Sequence, residues 1–176
     1  VFARDSDCEE QARVGEEVVQ WYTNYVDLLR RLRAGQTPTS LELFCGGGGK
    51  SEGVRRARGA SHGVDSRAQP DYVRRFGEEA FTRADATSAV AMARLARKVR
   101  AVGVGASPPC KQHSTAWVRG EASEPDLIAI TRATLVQLGL PYAIENVVGA
   151  GPAMRDPVEL RGSMFGLRVD RPRLFG

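Results

Sequence analysis

Short apolar runs recur along this chain, and most lead into a segment whose apolar residues return at helical spacing. The runs are "SLELF" (40–44), "SHGVD" (61–65), "AVGVGAS" (101–107) and "PYAIENV" (141–147). Helices are expected from the glycine loop to about Arg58, from Pro70, near 88–98, and from Pro125 to about Leu138. Proline suits the first helical turn, where its missing N–H loses no partner. Strands alternating with helices are joined by crossovers, which make neighbours parallel and cover both faces of the sheet. The expected fold is α/β, a doubly wound and mostly parallel sheet.

In such a sheet, ligands bind beyond the carboxyl ends of the strands. Gly46 to Gly49, Asp65, Asp85, Ser107 to Cys110, and Glu145 with Asn146 are all expected at that edge. Upstream, Val18, Tyr22, Tyr25, Leu29 and Leu32 recur at three- and four-residue spacing, so residues 9–33 read as a helix ended by Gly35 and Pro38. Two parts follow: an N-terminal helix within 1–38 packing on the core, and a domain over 39–176.

At 176 residues and 42% apolar composition, the chain can bury a core. No run approaches the roughly 18 apolar residues that span a bilayer, so no membrane partner is expected. No signal-peptide pattern opens it, and a cytoplasmic location is the simplest expectation. Cys8, Cys45 and Cys110 lie far apart without a Cys-x-x-Cys pair, and His62 and His113 add no ligand spacing. Neither a disulfide framework nor a metal is implied. A net charge of +4 is compatible with nucleic acid. Most of the 25 basic residues are arginines suited to solvated helix faces, so charge alone does not single out a partner.

The loop "FCGGGGKSEG" ends like a phosphate-binding loop. That motif requires glycine six residues before its lysine, and Phe44 stands there. Glycines after a strand let a ligand approach the backbone, and the next helix offers its N-terminus. Asp65 follows Gly46 by 19 residues, where an acid can accept both ribose hydroxyls of an adenosine-type cofactor. Asp85 is placed to meet an adenine amino group. A glycine turn with two helix-capping aspartates would also account for this region alone.

In "GASPPCKQHST", two prolines with fixed φ precede Cys110, holding it as a positioned nucleophile requires. The bland alternative is a buried, inert cysteine in a turn. "AIENVVGA" puts Glu145 and Asn146 at the end of the last apolar strand, where a carboxyl can hold or protonate a ring nitrogen.

Phe44-Cys45-Gly46-Gly47-Gly48, Pro108-Pro109-Cys110 and Glu145-Asn146-Val147, in that order, resemble the cytosine-5 DNA methyltransferase family. "LRVDRPRLF" is similar to its Gln-x-Arg-x-Arg segment, with Arg171 and Arg173 as the arginines and Val169 in place of glutamine. The resemblance covers 41–175 and implies a Rossmann-like S-adenosylmethionine-dependent methyltransferase fold, with residues 39–176 as catalytic domain. It implies S-adenosylmethionine bound by Phe44, Gly46, Gly47, Gly48, Asp65, Asp85 and Pro108, with Phe44 against adenine. It implies that Cys110 adds to carbon 6 of a flipped cytosine in DNA, that Glu145 stabilises the base and Arg173 orients it, and that Arg171 belongs to the same catalytic set. Pro109, Ser114 and Asn146 would contact the base.

The sequence departs from the family where Lys111, Gln112 and His113 follow Cys110. Similarity also stops short of the family's target-recognition region and final cofactor-packing helix. Target recognition is therefore expected from a partner chain or a further C-terminal segment, and the N-terminal helix is expected to fill the packing helix's place. A non-catalytic cofactor- or DNA-binding partner subunit is the alternative, although such a module needs neither Cys110 nor Glu145. Thymidylate synthase also presents Pro-Pro-Cys, but that reading leaves the glycine loop, Asp65 and Glu-Asn-Val unexplained.

Overall fold

The computed structural model describes residues 23, 25–27, 29–110, 113 and 126–176. A helix, α1, is helical at every described position from 23 to 33; the rest of the expected 9–33 helix lies outside the described residues. The strands are β1 (Thr39–Leu43), β2 (Ala60–Asp65), β3 (Phe81–Arg83), β4 (Ala101–Ala106), β5 (Tyr142–Asn146), β6 (Val158–Leu160) and β7 (Arg173–Phe175). Between them lie α2 (Gly49–Arg56), α3 (Pro70–Phe76), α4 (Ala89–Val99) and α5 (Leu127–Leu138).

The helices stop and start where side chains satisfy their free backbone groups. Pro70 opens α3. Ser88 caps α4 by accepting from Ala91 N, and Asp126 caps α5 by accepting from Ile128 N at 2.9 Å. Gly139 ends α5 in the left-handed conformation, with φ 61°.

The sheet order is β3-β2-β1-β4-β5-β7-β6. β1 to β5 pair in parallel, and β7 runs antiparallel to both its neighbours. The chain winds outward from β1 through β2 to β3, then returns to β4 on the other side of β1. Winding thus reverses at the β1/β4 junction, which opens a crevice at their carboxyl ends. The last residues before Gly176 also read as a strand in sequence and form β7, so β3 and β6 are the additions; at three residues each, they are too short to show a period.

Alternation along each strand sorts the two faces. Leu41, Leu43, Val64, Val104, Ala106 and Ile144 join Met92 and Leu95 of α4 and Ile128 and Leu135 of α5 in one buried cluster. The opposite face carries Glu42, met by Lys50 of α2, and Gly63, met by Tyr72 of α3. Among the described residues, no helix is long and apolar enough to cross a membrane.

Candidate active site

β1 ends in a turn that aims its loop across the crevice. Phe44 takes a left-handed φ of 56°, a conformation costing a non-glycine residue roughly 1–2 kcal/mol. Its ring lines a cleft of about 500 Å³ at the carboxyl edge, with Asp65, Ser66, Arg67, Gln69, Asp85, Ala86, Thr87, Ser107, Pro109 and Leu127. That volume suits a cofactor-sized molecule.

Asp65 joins the loop to the cleft. Its Oδ2 accepts from Gly46 N at 3.1 Å and its Oδ1 from Arg67 N at 3.0 Å. Each carboxylate oxygen accepts about two hydrogen bonds, so one position on each remains for a ligand hydroxyl. Gly46 therefore borders the cleft through Asp65. Gly47 is exposed, and Gly48 is buried beneath Phe76, where a Cβ would come within 2.4 Å of the ring.

Asp85 follows β3 rather than a plain turn. Its Oδ1 accepts from both Thr87 N, at 2.9 Å, and Thr87 Oγ1, at 2.7 Å, and this short turn leads into α4. Thr87 and Arg67 were not among the expected site residues. The Asp-x-Thr spelling of "DATS" is a local turn signal that marks Thr87, whereas nothing in sequence marks Arg67.

The two prolines stand differently toward the cleft. Pro109, with Ser107, lines the cleft, while Pro108 is buried and is not among the lining residues. The reason is a hydrogen bond: Asn146 Nδ2, itself 2% exposed, donates to Pro108 O at 3.1 Å and draws that residue toward β5. Asn146 Oδ1 also accepts from Val147 N at 2.9 Å. One buried amide thus fastens Pro-Pro-Cys to Glu-Asn-Val.

Cys110 is half-buried next to the cleft rather than in its lining. Its carbonyl accepts from His113 N at 2.9 Å, closing a turn. His113 Nε2 lies 3.3 Å from Asp126 Oδ2. The backbone of His113 presses on Gly149, where a Cβ would sit 2.2 Å from His113 O. Ser114 lies outside the described residues. Cys45, the neighbour of the glycine loop, is no rival nucleophile. Burial, reinforced by the charge of Asp65, pushes its thiol up to about 12, so it stays protonated at neutral pH.

Glu145 meets Arg173 across β5 and β7, with Nε to Oε1 at 2.9 Å. Both side chains are partly shielded from solvent. Arg171 is exposed and makes no hydrogen bond or ion pair among the described residues. A second ion pair stands on the same face. Lys50 Nζ is enclosed 3.4 Å from Glu42 Oε2, a long ion pair, and Ser40 Oγ donates to the other Glu42 oxygen at 2.7 Å. Burial lowers the pKa of Lys50, with Glu42 and then Glu145 opposing that shift. Gly105 makes this possible, since a Cβ there would lie 2.5 Å from Glu42 Oε2.

No protein-family model matches the chain, and no curated protein matches it. Solved structures do. A mutant of DNMT2 from Spodoptera frugiperda superposes with a TM-score of 0.58 at 18% identity, over 79% of this chain and 49% of its own. The fold is that of the S-adenosylmethionine-dependent methyltransferases. This chain spans about half the length of that DNMT2 structure. A Burkholderia thailandensis 1,6-didemethyltoxoflavin-N1-methyltransferase, with S-adenosylhomocysteine bound, matches at a TM-score of 0.45 and 14% identity, over 99% and 90% of the two chains. Magnesium protoporphyrin IX methyltransferase from Synechocystis PCC 6803, with S-adenosylmethionine bound, matches at 0.42 and 10%, over 99% and 85%. At such values these two carry no weight beyond the DNMT2 likeness.

Proposed function

We propose that this chain transfers a methyl group from S-adenosylmethionine to carbon 5 of cytosine in DNA, through a covalent adduct on Cys110. The observation that carries the reading is the buried Asn146–Pro108 hydrogen bond, which ties the cysteine segment to the strand bearing Glu145. The Glu145–Arg173 pair then brings a third segment, distant in sequence, to the same strand ends. A sheet binding cofactor alone has no use for this convergence.

The cleft suits the cofactor by size and by its donor set. Asp65 has an open acceptor position on each oxygen for ribose hydroxyls, Asp85 can take the adenine amino group, and Phe44 offers an apolar face. When bound there, S-adenosylmethionine supplies an electrophilic methyl group. Cys110, beside Pro109 at the cleft's rim, adds as thiolate to carbon 6 of the base. Addition consumes the carbon 5–carbon 6 double bond and leaves carbon 5 as the nucleophilic end of an enamine, able to take the methyl group. Glu145, oriented by Arg173, holds the ring nitrogen and exocyclic amine, stabilising the charge that addition pushes onto that side of the ring. Loss of the proton from carbon 5 after methylation breaks the carbon 6–sulfur bond and frees Cys110. The cytosine must leave the duplex to reach these groups.

A duplex carrying 5-fluorocytosine tests this. Fluorine cannot depart as a proton, so with S-adenosylmethionine the wild-type chain should remain covalently bound to DNA on a denaturing gel. Cys110→Ala should form no such band yet bind cofactor with nearly unchanged affinity. Cofactor binding by the wild type without any adduct would leave a non-catalytic binding subunit as the correct reading.

A further inference from the structure

The connection from β6 to β7, residues 161–172, takes no part in the chemistry described above, apart from the expectation placed on Arg171. β6 runs antiparallel to β7, and β7 antiparallel to β5, so β6 points the same way as β1 to β5. The connection therefore leaves and re-enters the sheet at the carboxyl edge. Leu160 lies opposite Arg173 in the register, and Arg173 is the partner of Glu145. Residues 161–172 thus flank the mouth of the site.

The backbone of this connection is firmly tied. Arg161 pairs with Glu159 at 2.7 Å and with Asp170 at 3.0 Å, while Ser163 Oγ donates to Asp170 at 3.1 Å. Leu167 N donates to Gly162 O at 3.1 Å, and a Cβ at Gly162 would lie 2.3 Å from Val169 O. Yet Met164, Phe165, Leu167 and Val169 are 63%, 66%, 62% and 60% exposed. Four large apolar side chains are held out to solvent by a loop whose own polar contacts are satisfied. A cluster of that kind marks an interaction surface. Arg168 and Arg171 stand exposed among them, without an ion pair among the described residues. Two unpaired cations disfavour a second copy of the same surface and favour a polyanion.

We propose that this connection is a DNA wedge: Arg168 and Arg171 seat on phosphates, and the Met164–Phe165 tip enters the base stack beside the departing cytosine. The inference rests on the function proposed above, because an enzyme acting on an extruded base must offset the stacking and pairing that extrusion forfeits. Extrusion forfeits pairing and stacking, and apolar side chains inserted between base steps are a general means of offsetting that loss.

The test compares two duplexes identical except at the target pair, one matched and one with the cytosine opposite an abasic site. Binding of wild type and of the Met164→Ser/Phe165→Ser variant is measured by fluorescence anisotropy. Both side chains are exposed, so the variant should melt at the wild-type temperature. It should bind the matched duplex about tenfold or more weakly, and the abasic duplex within about twofold of wild type, where opening costs little. Arg168→Ala should reduce the slope of log affinity against log salt by about one. Equal loss on both duplexes, no loss on either, or a wild type that binds neither would overturn the wedge. If discrimination between duplexes holds while the 5-fluorocytosine adduct is absent, the cytosine reading fails and the wedge stands.

Discussion

Asp65 accepts Gly46 N–H on one carboxylate oxygen and Arg67 N–H on the other, so it shapes the loop as well as facing the cleft. Asp65→Ala should weaken S-adenosylmethionine binding by about 1.5–3 kcal/mol, the worth of hydrogen bonds to a charged group. Calorimetry giving the wild-type affinity would remove Asp65 from the cofactor site. Lys50 poses a different problem, since its Nζ is enclosed against Glu42, which is 2% exposed. Lys50→Met leaves that carboxylate buried and unpaired, and should lower stability in urea by about 3–5 kcal/mol. Glu42→Gln combined with Lys50→Met should recover most of this loss. The pH dependence has a definite sign. Burial lowers the Lys50 pKa below its ordinary 10.5, so between the lowered value and 10.5 the unfolded chain binds more protons than the folded one. Stability therefore rises with pH across that window as Lys50 loses its proton, and below the window Lys50 adds no pH dependence. Lys50→Met should abolish the rise; urea melts at stepped pH would detect its persistence.

The turn after Cys110 and the segment after β5 are built to touch at one glycine. At Gly149→Ala, the new Cβ meets the carbonyl of His113 at 2.2 Å, and both are backbone positions that cannot swing aside. The turn closed by His113 N on Cys110 O must then shift. Displacements on the ångström scale cost about a hundredfold in rate, so adduct formation should slow by about that factor. Cofactor affinity should hold, because other segments line the cleft; an unchanged adduct rate would show that the turn tolerates movement. For α1, Arg31 Nη1 donates to Arg100 O at 2.7 Å, so its described end touches the start of β4. We propose that the helix expected over residues 9–33 packs on the core as an integral element, and the test is removal of residues 1–34. Their deletion should unfold the domain or abolish cofactor binding, and a stable, cofactor-competent deletion would refute this.

As a whole, the molecule carries +4 charges and places its site at one edge of a seven-stranded sheet. Phosphate contacts position a protein on DNA, whereas sequence is read by side chains reaching base edges. The carboxyl edge offers a cleft, a cysteine and an apolar-tipped connection, but the described residues present no second lobe that could clasp a duplex. Binding to DNA should therefore fall steeply with salt, with little preference beyond the cytosine and its neighbours. Bisulfite sequencing of treated plasmid decides the matter. Modification confined to one longer motif by this chain alone would show that sequence readout lies within it.

The parts legible in sequence were those with local causes. Period and turn residues gave β1, β2, β4, β5 and most helix limits, because spacing, caps and φ restrictions act over a few residues. The glycine loop, Asp65 and the Pro-Pro-Cys and Glu-Asn-Val segments were visible as motifs for the same reason. β3 and β6 were not, since three-residue strands exist only through their neighbours. The burial of Pro108 depended on an amide 38 residues away in sequence, brought close by the β4/β5 pairing. The enclosure of Lys50 depended on Gly105 standing across from Glu42 in the β1/β4 register. Composition and motif thus determined which chemical groups the chain carries to the sheet edge. Only strand order decided which of them meet, because contacts between distant segments follow from register, and no local stretch of sequence encodes register alone.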